Sequence, residues 1–206
     1  MDSATLLYWA LQQRYVVQAI TYVYPSRPAR EITATRAIAR AAGVDCREVA
    51  LPFLQTAVDL REAASTALPG VQVPEGYVPA RNFVFYAVAA YFAEVYGADL
   101  ILGGHVQTDR EGFPDATPAF FHAIECLVNS VTSRDDRALR VCLPFLEKTK
   151  GEVVTLAQAL RVPLDLTWSC YYDRATPCGR CESCVERADA FTHAGIRAAP
   201  ARGDPR

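Results

Sequence analysis

The chain has 206 residues, a formal net charge of −2 and an apolar share of 51%, enough for one well-buried domain and too few for two comfortable ones. The near-neutral charge gives no electrostatic basis for nucleic-acid binding, and the longest apolar stretch, around residues 83–96, is interrupted by Glu94 and too short to cross a bilayer. Seven cysteines, an odd number with no secretory signal before them, predict a reducing cytoplasm rather than a disulfide framework.

Asp2 and Ser3 precede an apolar run beginning at Ala4, so either is placed to cap a helix N-terminus. Residues 16–23 are rich in β-branched and aromatic side chains and read as a buried strand. Pro25-Ser26-Arg27-Pro28 breaks that strand, and residues 31–42 read as a helix closed by Gly43. A second short strand covers 45–51. The stretch through Leu68-Pro69-Gly70 and Pro74-Glu75-Gly76 reads as a long surface loop with one helical turn. Residues 81–96 predict a strongly apolar helix ended by Gly97, and 99–104 a buried parallel strand running into Gly103-Gly104. A helix over 118–131, a strand over 139–143 and a helix over 150–160 follow. A cysteine-rich loop then leads to a terminal helix over 184–194, ended by Gly195, and the Ala-, Pro- and Arg-rich tail over 197–206 is expected to be disordered. Strands alternating with helices predict a single α/β domain over residues 1–196 built on a parallel sheet. Ligand sites in such a sheet lie at the carboxyl ends of strands, which directs attention to the segments after Tyr22, after Leu102 and before Lys148.

The cysteines carry the most specific local signal. Cys178, Cys181 and Cys184 form two C-x2-C steps that share Cys181, and Cys170 stands just upstream in Trp168-Ser169-Cys170-Tyr171. A C-x2-C step lets two thiolates of one tight turn point at a common centre about 2.3 Å from each sulfur, which is zinc geometry. Four sulfurs without a fifth ligand describe a closed structural site in the loop 168–186. An iron–sulfur cluster is the rival, but its cysteine run ordinarily continues C-x3-C-P, whereas Cys184 is followed by Val-Glu-Arg. Cys46, Cys126 and Cys142 each sit beside apolar residues and are expected to be buried small side chains. His105, His122 and His193 make no familiar metal spacing, and core packing is the expectation for Trp168, Tyr171 and Phe120.

Further segments stand out in chain order: Tyr77-Val78-Pro79-Ala80-Arg81-Asn82, Gly103-Gly104-His105 through Asp109 to Phe113-Pro114-Asp115, and Pro144-Phe145-Leu146 through Lys148-Thr149-Lys150. With the cysteine loop, and ending in Phe191-Thr192-His193-Ala194-Gly195, this ordered set resembles the 7-cyano-7-deazaguanine synthase (QueC) family over nearly the whole chain. That family is a branch of the PP-loop ATP pyrophosphatases. The resemblance implies an α/β fold with a Rossmann-like parallel sheet and helices on both faces, like the adenine nucleotide alpha hydrolases. It also implies ATP-dependent conversion of 7-carboxy-7-deazaguanine and ammonia to the nitrile, on the way to queuosine or related deazapurines, with Mg²⁺ and a structural Zn²⁺. No nucleic acid or membrane partner is implied; the family often forms homodimers.

Residue by residue, the resemblance implies that Asp2 and Ser3 match the D-S end of an S-G-G-x-D-S phosphate loop, with Met1 at its variable position. By themselves the two read as an N-cap pair. Arg81 and Asn82 would face the nucleotide, and Arg81 suits a phosphate through its planar fork of donors. Gly103 and Gly104 would let a ligand approach the strand end, Asp109 and Asp115 would meet the substrate or a metal, and Lys150 fits the family's lysine better than Lys148. Taken singly, these positions read as a surface ion-pair partner, a strand-to-loop turn, turn and cap residues, and helix-start lysines. The family's leading strand and its S-G-G lie outside the sequence, from which the expectation is a start codon placed too late. On the sequence as given, weak or absent ATP turnover is expected. Two other readings stay open: a related PP-loop ligase acting on another carboxylate or acceptor, and a catalytically degenerate nucleotide- and zinc-binding homologue.

Overall fold

The computed structural model describes residues 1–55, 77–132 and 138–196. The elements run α1 (Asp2–Gln12), β1 (Ala19–Val23), α2 (Ala29–Ala42), β2 (Cys46–Ala50), α3 (Arg81–Tyr96), β3 (Leu100–Leu102), α4 (Gln107–Gly112), α5 (Pro118–Val131), β4 (Arg140–Cys142), α6 (Lys150–Ala159) and α7 (Glu182–His193). Helices α3 and α5 have the bounds expected from sequence, and one end of each carries a strong local signal. Pro118 occupies the first turn of α5, Thr117 accepts a hydrogen bond from the Phe120 N–H, and Gly97 closes α3 in the left-handed region at φ 65°. Thr149 and Glu152 form a reciprocal capping box that starts α6.

Several expectations are corrected. Asp2 and Ser3 lie inside the first turn of α1, whose cap position is Met1, and no side chain caps it. The strand expected over 16–23 is confined to Ala19–Val23, and Val16 is fully exposed. Strand propensity at Val16 and Val17 is unrealised because no neighbouring strand pairs there. Helix α4 falls between the strand expected over 99–104 and the helix expected over 118–131, where the sequence predicts no element: its six mostly polar residues carry no apolar period to read. Cys126 is exposed on α5, and Cys46 and Cys142 are half-buried. The expected loop through 68–76 and the tail 197–206 lie outside the described residues.

Among the described residues both strand pairings are parallel, β1 with β2 and β3 with β4, and the two pairs do not join into one sheet. Side-chain alternation lets helices cover both faces of β3. Ile101 packs with Tyr86, Ala90, Phe121, Ile124 and Val128 of α3 and α5, while Leu102 packs toward Leu6, Val106, Phe145 and Val153 on the other side. A further cluster joins α1, α2, α6 and α7 through Ala4, Ile38, Val154, Ala157, Ala190 and Phe191. Burying a Val or Phe of such clusters contributes about 1.5–3 kcal/mol each, so these contacts fix where the helix ends stand around the strand ends. Between β1 and β3 lies a cleft of about 940 Å³ that runs beside α1 and α3.

Candidate functional site

The cleft gathers residues far apart in sequence. Asp2, Ser3, Arg81, Asn82, Gly103, Gly104 and Asp109 all line it. Asp115 and Lys150 are not among the lining residues.

The start of α1 reaches the cleft because Gly104 has no side chain: a Cβ there would fall 3.2 Å from the Ser3 amide nitrogen. A helix N-terminus presents unsatisfied N–H groups and a positive dipole end, which favours anions. Beside it, Asp2 Oδ1 is buried and lacks a hydrogen-bond partner. Across the cleft, Arg27 follows the end of β1. Its guanidinium donates to Thr21 Oγ1 at 2.6 Å, to the Tyr22 carbonyl at 2.5 Å and to Thr35 Oγ1 at 3.2 Å, and pairs with Glu31 at 3.0 Å. Sequence reasoning pointed to the segment after Tyr22 without selecting Arg27; its place in the Pro-Ser-Arg-Pro turn at a strand's carboxyl end was the available signal.

Arg81 and Asn82 open α3 after Ala80, a non-glycine residue in the left-handed region at φ 50°. Asn82 is buried. Its backbone N–H donates to Asp115 Oδ2 at 3.1 Å, and its side-chain amide donates to the Asp115 carbonyl at 3.0 Å. Asp115 therefore acts as a long-range cap for α3 and orients Asn82 from outside the cleft. Asp109 is likewise engaged: its Oδ2 accepts the Val106 N–H at 3.0 Å, and His105 Nδ1 stands 4.0 Å away. Burial pushes the Asp109 carboxyl up, against the Val106 N–H and the charge of Lys150. Lys150, the first residue of α6, is ion-paired with Glu186 of α7.

Two cleft residues escaped sequence reasoning altogether. Tyr22 stacks on Phe85 with centroids 4.1 Å apart and donates its hydroxyl to the Phe85 carbonyl at 2.6 Å. Tyr86, one residue on, is buried against Phe121 and His105, and its hydroxyl has no partner. His105 is held neutral, with its pKa brought down to about 4 by burial and then by the charge of Arg81, against Asp115.

The cysteine expectation is met in space. The Sγ atoms of Cys170, Cys178, Cys181 and Cys184 lie within 4.8 Å of one another, and the Cys178 and Cys184 sulfurs are 3.9 Å apart. A tetrahedron with metal–sulfur bonds of about 2.3 Å has sulfur–sulfur edges of about 3.8 Å, so the four thiols stand within about 1 Å of the spacing one metal ion requires. Amide N–H groups already face the sulfurs: those of Tyr172 and Cys178 approach Cys170 at 3.4 Å, and that of Cys181 approaches Cys178 at 3.3 Å. Gly179 takes the left-handed conformation at φ 71° that closes the turn. Cys181 is the cap position of α7 and Cys184 lies in its first turn. Trp168 donates its ring N–H to the Cys170 carbonyl at 3.0 Å, while Tyr171 is exposed rather than packed in the core.

The model of the family described as "Queuosine biosynthesis protein QueC" matches residues 1–195. A 7-cyano-7-deazaguanine synthase of Picrophilus torridus is 33% identical over 203 residues, covering 95% of this chain and 84% of the relative. Another, of Acidobacterium capsulatum, is 38% identical over 192 residues, covering 87% of this chain and 83% of the relative. Among solved structures, an NMN synthetase from Francisella tularensis superposes with a TM-score of 0.50 at 11% identity, over 97% of this chain and 75% of that one. That last likeness speaks for the α/β fold alone.

Proposed function

The chain belongs to the QueC family of queuosine biosynthesis proteins, and from that premise we propose that it makes 7-cyano-7-deazaguanine from 7-carboxy-7-deazaguanine, ammonia and ATP. It does so as a cytoplasmic ligase formed by one domain over residues 1–196. The observation that carries the reading is the convergence of Asp2, Ser3, Arg81, Asn82, Gly103, Gly104 and Asp109 on one cleft.

A carboxylate is a poor electrophile until its oxygen attacks the α-phosphate of ATP and pyrophosphate leaves. Ammonia then displaces AMP from the acyl adenylate, giving the amide. A second activation at the amide oxygen, with loss of AMP and a proton, leaves the nitrile. Both phosphoryl steps depend on position and on charge neutralisation. The start of α1, with Ser3, suits the pyrophosphate, and Arg81 suits a phosphate through its bidentate donors. Lys150 acts at longer range, since Glu186 holds it beside rather than in the cleft. Mg²⁺ accompanying the nucleotide is held mainly by phosphate oxygens, and the Asp2 carboxylate, with its unpartnered Oδ1, suits a remaining position. Asp109 meets the substrate from the α4 side of the cleft; Asp115 serves through Asn82.

Zn²⁺ is the metal that best suits the four thiols, and with every position taken it serves structure rather than reaction. The exposed apolar side chains Tyr91 and Val95 on α3 and Val131 on α5 suit contact with a second copy in a homodimer.

The test is incubation of the chain with ATP, ammonium and 7-carboxy-7-deazaguanine, read by mass spectrometry. The expected products are the nitrile, AMP and pyrophosphate, at low turnover. Bound nucleotide with neither amide nor nitrile formed would reject the activity for this chain.

A further inference from the structure

Tyr86 presents a buried hydroxyl that no described residue satisfies. Among the described residues, Asp2 Oδ1, Ser26 Oγ and Tyr86 Oη are the buried side-chain polar atoms without a partner, and the residues of two of them, Asp2 and Tyr86, line the cleft. An orphaned polar atom of this kind is destabilising, and such groups in a cleft mark where a ligand completes the hydrogen bonding.

The fold makes specific room for it. Tyr86 projects from α3 toward the end of β3, and at Gly103 a Cβ would fall 1.9 Å from the hydroxyl oxygen and 2.6 Å from Leu143 Cδ2. Any other residue at 103 would expel the phenol, so the glycine admits it to the strand end. The rings packed on it are aromatic: Phe121 lies 5.0 Å away between ring centroids, and the roughly parallel His105 ring lies 5.9 Å away. Such a wall suits a planar heterocycle. Arg81, whose charge acts on His105, stands at the same end of the cleft and can face a carboxylate.

We propose that the Tyr86 hydroxyl is a substrate-binding group that hydrogen-bonds the polar edge of the deazaguanine ring, with Gly103 as the residue that makes room for it. The inference rests on the reading that 7-carboxy-7-deazaguanine is the substrate.

Tyr86→Phe removes the hydroxyl and little else. Calorimetric titration should show 7-carboxy-7-deazaguanine binding roughly three- to tenfold more weakly in the variant, with ATP affinity unchanged. The melting temperature of the ligand-free variant should stay the same or rise, since an unsatisfied group has been deleted. Unchanged affinity for the deazaguanine overturns the inference, as does weakening confined to ATP. A lowered melting temperature also overturns it, because the hydroxyl would then be serving the fold. Failure of the unsubstituted chain to bind 7-carboxy-7-deazaguanine is distinguishable from all of these: it appears without any substitution, and it removes the substrate reading together with the inference built on it.

Discussion

His105 packs against the rings of Tyr86 and Phe121, with Asp109, Arg81 and Asp115 as the charged groups that act around it. Burial dominates, and its pKa falls from 6.5 to about 4. The unfolded chain therefore binds a proton at this position between those values while the folded chain does not. Stability from the neutral ring is fully present above pH 6.5 and is lost as pH falls toward 4, on the order of 3 kcal/mol. The raised pKa of Asp109 acts in the opposite sense, since its folded carboxyl takes up a proton more readily than the unfolded one. Urea denaturation at several pH values separates the two. His105→Gln should flatten the loss between pH 6.5 and 4 relative to the unsubstituted chain, and an unaltered slope would count against the buried neutral imidazole. None of this was legible from sequence, where His105 was one histidine without a metal spacing; its neighbours come from α3 and α5.

At the scale of elements, the helix starts differ in how they are secured. Helix α6 has a local device: Thr149 accepts the Glu152 N–H at 3.2 Å, and Glu152 accepts the Thr149 N–H at 2.8 Å. Thr149→Ala should cost about 1 kcal/mol in urea unfolding. Glu152→Gln should cost less, because the amide oxygen still accepts. Helix α3 has no local cap, and its first turn depends on Asp115, more than thirty positions away. Local devices can be read in one sequence, which is why the helices over 118–131 and 150–160 were close to those observed. The α3–Asp115 contact required the loop after α4 to fold back, and sequence reasoning accordingly placed Asp115 on the substrate. Gly151 is a related case. It reads as an ordinary helix-start residue, yet its missing side chain lets the His193 ring approach to where a Cβ would be 2.5 Å away, which sets the packing of α6 on α7.

For the molecule as a whole, the cysteine cluster does more than close a loop. It fixes the start of α7, which carries Glu186 to Lys150, Arg187 to Thr167 and the Leu164 carbonyl, and Ala190 and Phe191 into the cluster shared with α1, α2 and α6. A metal held by these thiols would therefore couple its binding to folding. Elemental analysis should find about one zinc per chain. Cys181→Ser, or chelation, should destabilise the fold by several kcal/mol, read as a large drop in melting temperature. A melting temperature indifferent to both would remove the metal from the structural account.

The sequence by itself determined the cysteine spacing, the helix ends marked by glycine, proline and capping pairs, and the α/β alternation, because each is written in residues a few positions apart. Tertiary structure alone decided which of the singled-out residues share a cleft. It drew Asp2, Ser3, Arg81, Asn82, Gly103, Gly104 and Asp109 together, left Asp115 and Lys150 behind their partners, and set an unsatisfied tyrosine hydroxyl over Gly103. Those outcomes depend on how helices pack across strands distant in sequence, and packing of that kind leaves no local mark in the chain.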